Sequence, residues 1–402
     1  MESNRVQRLT LASAIGMLLL YTGSQAAVIL NPVLANLQAE FPNVPHSQIV
    51  LLSTAVSGAM IPCGFIAGSI AGKVIGYKKI AILSCLLILA GGCLPIFVHT
   101  SFPLVMGSRV LMGLGCGFIQ PLGHALISLF YSGEKRSRML GIGTAIMNAA
   151  GVILQFVAGI VCTLNTWGTF WLHLYIVIPL FLITIFMPEP KLTGEKEEKS
   201  AEEPAKKGGI PLIAVAFGLA YGLTMMFYYP LVLNSSFIMT SEEIGTAATA
   251  GMVASAYKLG GVAGSALVGV LSKKLGKFMI PSLSAVLLIS YGIGAFSPNS
   301  VLYIAATFVS GMAFFGMIPA TIIEFGKYVD KRRIGTATGV YTALTNVGAF
   351  LAAYYIGAVG SISGDQNPRL PLYAGVILVL AVSVLWTVYI LIHSKKHRTI
   401  EA

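Results

Sequence analysis

The chain has 402 residues, of which 56% are hydrophobic and only 10% charged, whereas a soluble domain carries charge on about a quarter of its residues. That composition excludes an ordinary water-soluble globule. The net charge of +11 does not point to nucleic acid either, because the basic residues are scattered through short loops instead of gathered on one face.

Apolar runs long enough to cross a bilayer follow one another, separated by short polar breaks. In chain order the predicted spans are Leu9 to Leu37, Ile49 to Ala71, Ile80 to Val98, Phe102 to Phe130, Met139 to Leu164 and Phe170 to Met187. The first is too long for a signal peptide and has no small-residue cleavage site near its end, so it reads as a span. A second series runs Ile210 to Leu233, Ile244 to Leu271, Phe278 to Phe296, Val301 to Phe325, Ile334 to Val359 and Leu372 to Ile392. Between the two series, residues 188–209 form a run of mixed charge with Pro and Gly that has too little apolar surface to fold alone. The expected fold is an all-α integral membrane protein with twelve transmembrane helices. Residues 1–187 and 210–402 form its two six-helix bundles, with 188–209 as a cytoplasmic linker.

The basic residues test that count. Of the 26 Lys and Arg, all but Arg109, Lys258 and Arg369 fall in the tails, the linker or alternate loops that lie on one side of the twelve-span reading. The positive-inside rule makes that side cytoplasmic, with both termini on it and the number of spans even. The expected location is the cell membrane.

The two series also resemble each other. Gly68-Ser69-Ile70-Ala71-Gly72-Lys73 leads to Gly76, Lys78 and Lys79 after the second span, and Gly269 leads to Lys273, Lys274, Gly276 and Lys277 after the eighth. Gly141 and Asn148 in the fifth span have the spacing of Gly339 and Asn346 in the eleventh. With Arg109 and Gly113, Gly115 and Gly117 in the fourth span, and Glu134, Arg136 and Arg138 before the fifth, these motifs resemble the major facilitator superfamily over nearly the whole chain. The family's turn aspartate is absent from both halves, where Gly72 or Lys73 and Lys273 stand. The Gly-Pro pair common in its drug/proton antiporters is replaced by Ala150-Gly151. The resemblance implies transport by alternating access between two pseudo-symmetric bundles, with the first, fifth, seventh and eleventh spans lining a cavity.

An ionised side chain inside a span costs about 2.5–3.5 kcal/mol on insertion scales, so each one needs a reason. Lys258 lies mid-span, too deep to snorkel easily, with Gly251, Ser255, Val262 and Ser265 on its helical face; solute or proton contact is the expectation, a structural ion pair the alternative. Arg109 lies nearer the outer surface, on a face with Gly113, Cys116 and Gln120; either it snorkels, or it takes the coupling or anion-binding role that the resemblance implies. Glu324, at the inner end of the tenth span, is expected to pair with Lys273, Lys274 or Arg333 as a gate, and a proton-carrying role is the alternative. His124 is a second candidate for titration, set against a structural hydrogen-bonding role.

Neutral polar groups at helical spacing, Tyr21, Gln25 and Pro32, Asn148 and Gln155, Tyr221, Thr224 and Tyr228, Tyr341 and Thr345, are expected to face protein or water. Tyr21, Gln25, Tyr221 and Tyr228 are the first choices for solute contact, with Asn148 and Tyr341 behind them. Gly64, Gly68, Gly72 and Gly76 recur every four residues and read as a ridge for close helix approach, either static or sliding.

The expected function is secondary transport of a small organic anion by proton symport or anion exchange, because two embedded cations face one peripheral carboxylate. Proton-coupled multidrug efflux is the alternative. No phosphate-binding G-x-x-x-x-G-K-[ST] loop, H-E-x-x-H or G-x-S-x-G motif occurs, so neither ATP-driven pumping within the chain nor enzymatic activity is expected. The cysteines, Cys63, Cys85, Cys93, Cys116 and Cys162, lie in apolar segments without a C-x-x-C pair and read as buried free thiols, with no metal or cofactor expected. Expected partners are the solute, protons or a counter-anion, and the bilayer, with no nucleic acid and a monomeric state.

Overall fold

Hydrocarbon offers no partner to a peptide N–H or C=O, so an apolar run has to satisfy its backbone within itself, and a helix does so. The computed structural model describes residues 10–72, 74–190, 212–329 and 334–398, and these are overwhelmingly helical, with an isolated β-bridge between Ala71 and Ile75. In chain order the helical segments are α1 (Leu11–Glu40), α2 (His46–Ile70), α3 (Tyr77–Phe97), α4 (Phe102–Phe130), α5 (Gly133–Leu164) and α6 (Trp167–Phe186). After them come α7 (Leu212–Ser241), α8 (Ala247–Leu275), α9 (Met279–Ala295), α10 (Ser300–Tyr328), α11 (Ile334–Ser363) and α12 (Leu370–Arg398). Each matches one of the expected spans, and α4 has the bounds read from the sequence. Among the described residues ten are long and apolar enough to cross a membrane; α9 is shorter at 17 residues, and α2, 25 residues long, is not among the ten. Most of the charged linker, along with Lys73 and Arg333, lies outside the described residues.

Among the described residues, α6 is 3₁₀ over Trp167–Ile176 before it continues as α-helix over Val177–Phe186, and α1 and α7 are interrupted part-way along. Segment α1 is α-helical over Leu11–Leu20, narrows to 3₁₀ geometry over Tyr21–Val28 and Asn31–Val33, and resumes as α-helix over Leu34–Glu40. Segment α7 runs over Leu212–Tyr228, then restarts at Pro230–Leu233 and Ser235–Ser241. Pro32 and Pro230 stand at these breaks; each lacks a backbone N–H and so cannot continue the hydrogen-bond ladder.

The glycine ridge expected along the second span is shorter than its sequence period. Helix α2 stops at Ile70, and Gly72 lies past it in a turn with φ +76°, a conformation that glycine adopts without steric cost. The turn then leads into α3, where the Glu189 carboxylate accepts from the Lys78 backbone N–H at 3.2 Å. An acidic group at a helix N-terminus complements its dipole. Here it is supplied from the chain just beyond α6, in a turn whose own family aspartate is missing.

The chain packs as two compact units. One lies within Met1–Ile29, Ala55–Leu154 and Trp167–Gly208. Its core gathers Met17, Leu20, Ile80, Cys85, Met112 and Ile176. The alternating glycines of α4 face two ways: a Cβ at Gly113 or Gly117 would press on the α2 backbone at Val56 or Met60, and one at Gly115 would meet Ser84 O of α3 at 2.7 Å. The motif glycines thus let α4 lie close to two helices at once.

The second unit lies within Leu30–Thr54, Gln155–Thr166 and Gly209–Ala402. Its densest seam joins α8 to α10. Gly260 and Gly264 of α8 rest on the carbonyls of Phe308 and Met312, and Gly311 of α10 rests on that of Tyr257, so the two backbones touch without side chains between them. Large apolar side chains such as Leu219, Ile289, Ile377 and Leu385 point outward. Such an exterior suits lipid. All five cysteines are free, as expected from their spacing.

A substitution pair tests the seam. Gly264→Val should lower the stability of the purified protein by about 1–3 kcal/mol, the usual cost of forcing extra atoms into a packed contact. Gly269→Ala, where nothing lies within 4 Å of the added carbon, should be neutral or mildly stabilising. Thermal unfolding in detergent reads both, and equal melting temperatures for the two variants would contradict the backbone contact.

Candidate functional site

In the first unit Arg109 is fully buried, so it does not snorkel to the surface. Its guanidinium turns toward α3 and α6. Nη2 donates at 3.1 Å to the Gly91 carbonyl, whose helical partner position is Pro95 and offers no N–H, and the cation lies 5.1 Å from the centre of the Phe170 ring. Nε and Nη1 have no hydrogen-bond partner among the described residues. Phe170 also holds His173, whose Nδ1 lies 2.9 Å from its carbonyl. Neither the arginine's choice of α3 and α6 nor the neighbouring histidine was legible from the helical face with Gly113, Cys116 and Gln120.

Tyr21 and His124 come together, with ring centres 5.0 Å apart and Gly123 and Gly143 behind the tyrosine. His124 is itself exposed. Gln25 is buried, with Oε1 directed at Gly151 of α5. The α-helical spacing that placed Tyr21, Gln25 and Pro32 on one face does not apply, because this stretch is 3₁₀, in which each turn takes about three residues. Asn148 is half-buried on α5.

In the second unit an aromatic cluster joins α7, α8, α10, α11 and α12. The Tyr221 hydroxyl donates to the Phe314 carbonyl at 2.9 Å, and its ring stacks on Phe314 at 4.6 Å and leans on Tyr341 at 5.1 Å. Tyr228 stacks on the same phenylalanine at 5.1 Å and approaches Tyr257 at 5.8 Å. Lys258 is half-buried, with Nζ 5.2 Å from the Phe315 ring centre. No described carboxylate forms an ion pair with it. Ser265, on the same face, donates to the Phe315 carbonyl at 3.3 Å, while Gly251 meets the α5 backbone at Gln155. That face therefore packs on α5 and α10. Glu324 is buried near the end of α10. Of its expected partners, Lys274 is exposed, while Arg333 and the side chain of Lys273 lie outside what is described.

A well-connected polar group was not foreseen. Asn31, at the break in α1, accepts from Ser53 Oγ at 2.6 Å and directs Nδ2 to Gln155 Oε1 at 3.3 Å and the Tyr229 hydroxyl at 3.5 Å. Beside it, the Ala35 N–H donates to Ser236 Oγ at 3.1 Å, and Gly159 and Gly251 bring α5 and α8 into backbone contact. At the break in α7, Asn234 donates to the Pro368 carbonyl at 2.8 Å and accepts from His46. Arg369 forms a bidentate pair with Glu242, with Nη2 to Oε2 at 2.6 Å, and also donates to the carbonyls of Ala295 and Ser297. Glu242 holds the Arg369 guanidinium above its ordinary pKa. One signal could have found this end: a proline interrupting an apolar run at corresponding places in the two halves marks broken helices, and those mark sites.

A family model described as Major Facilitator Superfamily matches residues 13–353 and again 214–402. Among curated proteins, the multidrug efflux pump SdrM of Staphylococcus aureus (strain N315) is 27% identical over 173 residues, 42% of this chain and 37% of that protein. The facilitated glucose transporter member 8 of solute carrier family 2 from Bos taurus is 28% identical over 167 residues, 40% of this chain and 33% of that protein. The chain thus spans about a third of these relatives' length. Solved structures match more fully: a bacterial homolog of the human lysosomal transporter Spinster has a TM-score of 0.72 at 14% identity, covering 94% of this chain and 96% of its own. The nucleoside transporter NupG gives 0.73 at 13%, covering 94% and 99%. At such identities these structures speak for the fold alone.

Asn31→Leu should strand the Ser53 hydroxyl and remove a donor from Gln155 Oε1, and cost about 1–3 kcal/mol, whereas Ser53→Ala should cost about 0.5–1.5 kcal/mol. Thermal unfolding of the purified variants decides. An unchanged melting temperature for Asn31→Leu would remove the hub from the argument.

Proposed function

This chain belongs to the major facilitator superfamily of transporters, and from that membership we propose that it carries a small organic anion across the membrane by alternating access, driven by proton symport or anion exchange. The single observation that carries the anion is Lys258: a mid-span ammonium against Phe315, with no ion pair to a described carboxylate. A half-buried cation within a span is stabilised by an opposite charge, and an anionic solute supplies one. Arg109, a fully buried cation with no described carboxylate partner, supports the same sign. Tyr21, Gln25, Asn148, Tyr221, Tyr228 and Tyr341 are the proposed neutral contacts, with Arg109, His124, Glu324, Lys273 and Arg333 in coupling or gating.

The charge distribution supports a cytoplasmic placement for the basic loops and both termini of a monomer in the cell membrane. The two-bundle division around the linker at 188–209 belongs to the same reading.

Proton-coupled drug efflux is the second reading. The named function of the staphylococcal relative and the aromatic cluster around Phe314 favour it. Against it stands the lack of any carboxylate within the six predicted spans of the first half.

Lys258→Ala should abolish uptake of radiolabelled organic anions into cells while the folded protein stays in the membrane; unchanged uptake kinetics would remove the anion reading. Resistance of a sensitised host, measured with and without a collapsed proton gradient, tests the other. Drug tolerance that needs both the protein and the gradient would favour efflux.

A further inference from the structure

The end of the second unit that carries Asn31 is closed by contacts between first-half stretches 30–54 and 155–166 and the second half of the sequence. By the charge reading above, this end lies opposite the basic loops and faces outward. His46 stands in that closure at the first turn of α2. Its Nε2 lies 3.3 Å from Asn234 Oδ1, and its ring meets Phe237 edge-on at 4.1 Å. Asn234 spends its Nδ2 on the Pro368 carbonyl, which fixes the amide so that Oδ1 must accept and His46 Nε2 must donate. The next residue, Ser47, fills the space over Gly357 of α11. Thus one imidazole links the first outer loop to α7 and, through Asn234, to the segment before α12.

We propose that His46 is a proton-binding site in the outer closure, and that a proton taken from the outside solution at its Nδ1 releases the latch and favours opening to that side. The balance is simple: Nε2 keeps its hydrogen and Nδ1 gains one, so a neutral ring becomes an imidazolium. The described groups facing the ring include no cation that would repel the proton, so burial sets the sign. From α7 come Asn234 and Phe237, both uncharged, and from the segment before α12 come the Pro368 backbone and, across a small surface cavity, Asp365. Asp365 is exposed, and its Oδ1 accepts from the Asn367 N–H. Arg369 and Glu242 neutralise each other nearby. Burial lowers the affinity of the ring for the proton, and the Asn234 hydrogen bond offsets only part of that. Opening hydrates the ring and restores its ordinary value near about 6.5. Because the closed form holds the proton more weakly, acid favours the open form, starting as pH falls through about 6.5.

This inference rests on the alternating-access reading, and its test needs no solute. Spin labels on Asn43→Cys and Ser241→Cys, both exposed, report the separation across the closure in full-length protein whose five native cysteines are replaced. Electron–electron double resonance at about pH 7.5 and about pH 5 is compared for His46, His46→Gln and His46→Ala. The wild-type ring should give a long-distance population that grows on acidification. His46→Gln, which can still donate to Asn234 but does not titrate, should stay short at both values, and His46→Ala should be long at both. Equal acid responses in wild type and His46→Gln would overturn the proton site while leaving alternating access standing. A single short distance in all three proteins at both values would overturn both.

Discussion

Every feature of this protein answers to one constraint: inside hydrocarbon, a backbone N–H or C=O has no water to turn to. Unbroken helices meet it by themselves. A broken helix does not, and polar side chains gather at both breaks. At α1, Asn31 bonds the side chains of Ser53, Gln155 and Tyr229; at α7, Ser235 takes the Val232 carbonyl and Ser236 accepts from the Ala35 N–H.

The same constraint explains which parts of the molecule were legible in the sequence. Helix positions were, because an apolar run has one solution in lipid; α4 begins and ends where its hydropathy does. The glycines of α4 were legible as a motif, and the structure supplies their reason in two close helix contacts. Where the period changed, faces were only partly legible. Tyr21 and Gln25 were assigned to one side of an α-helix; the local geometry is 3₁₀, yet both side chains still reach α5, at Gly143 and Gly151, and Tyr21 meets His124 of α4 as well. The ridge from Gly64 to Gly76 failed for a related reason, since the helix ended before its glycines did. Arg369 stood out as the one basic residue on the wrong side, yet Glu242, 127 positions away, left no mark that would have named it as the partner.

The embedded cations show how differently a bilayer protein can handle the same charge. Arg109 is enclosed by a carbonyl and an aromatic face, both weak partners, and two of its nitrogens are left without a described acceptor. Lys258 also rests on an aromatic ring. A ring face attracts a cation without neutralising it, so both positions keep a net positive field. Arg369, outside the spans, is paired with Glu242 and donates to two backbone carbonyls as well, so its charge is neutralised.

The spread of the Arg369 bonds has a mechanical consequence. One guanidinium ties the end of α7, the turn after α9 and the start of α12 into a single frame, and the glycine seam joins α8 to α10 alongside it. The first-half stretches 30–54 and 155–166 meet this frame through side-chain bonds at Asn31 and His46, the Ala35 N–H and the backbone contact of Gly159 with Gly251, so one half of the chain supplies the door and the other the jamb.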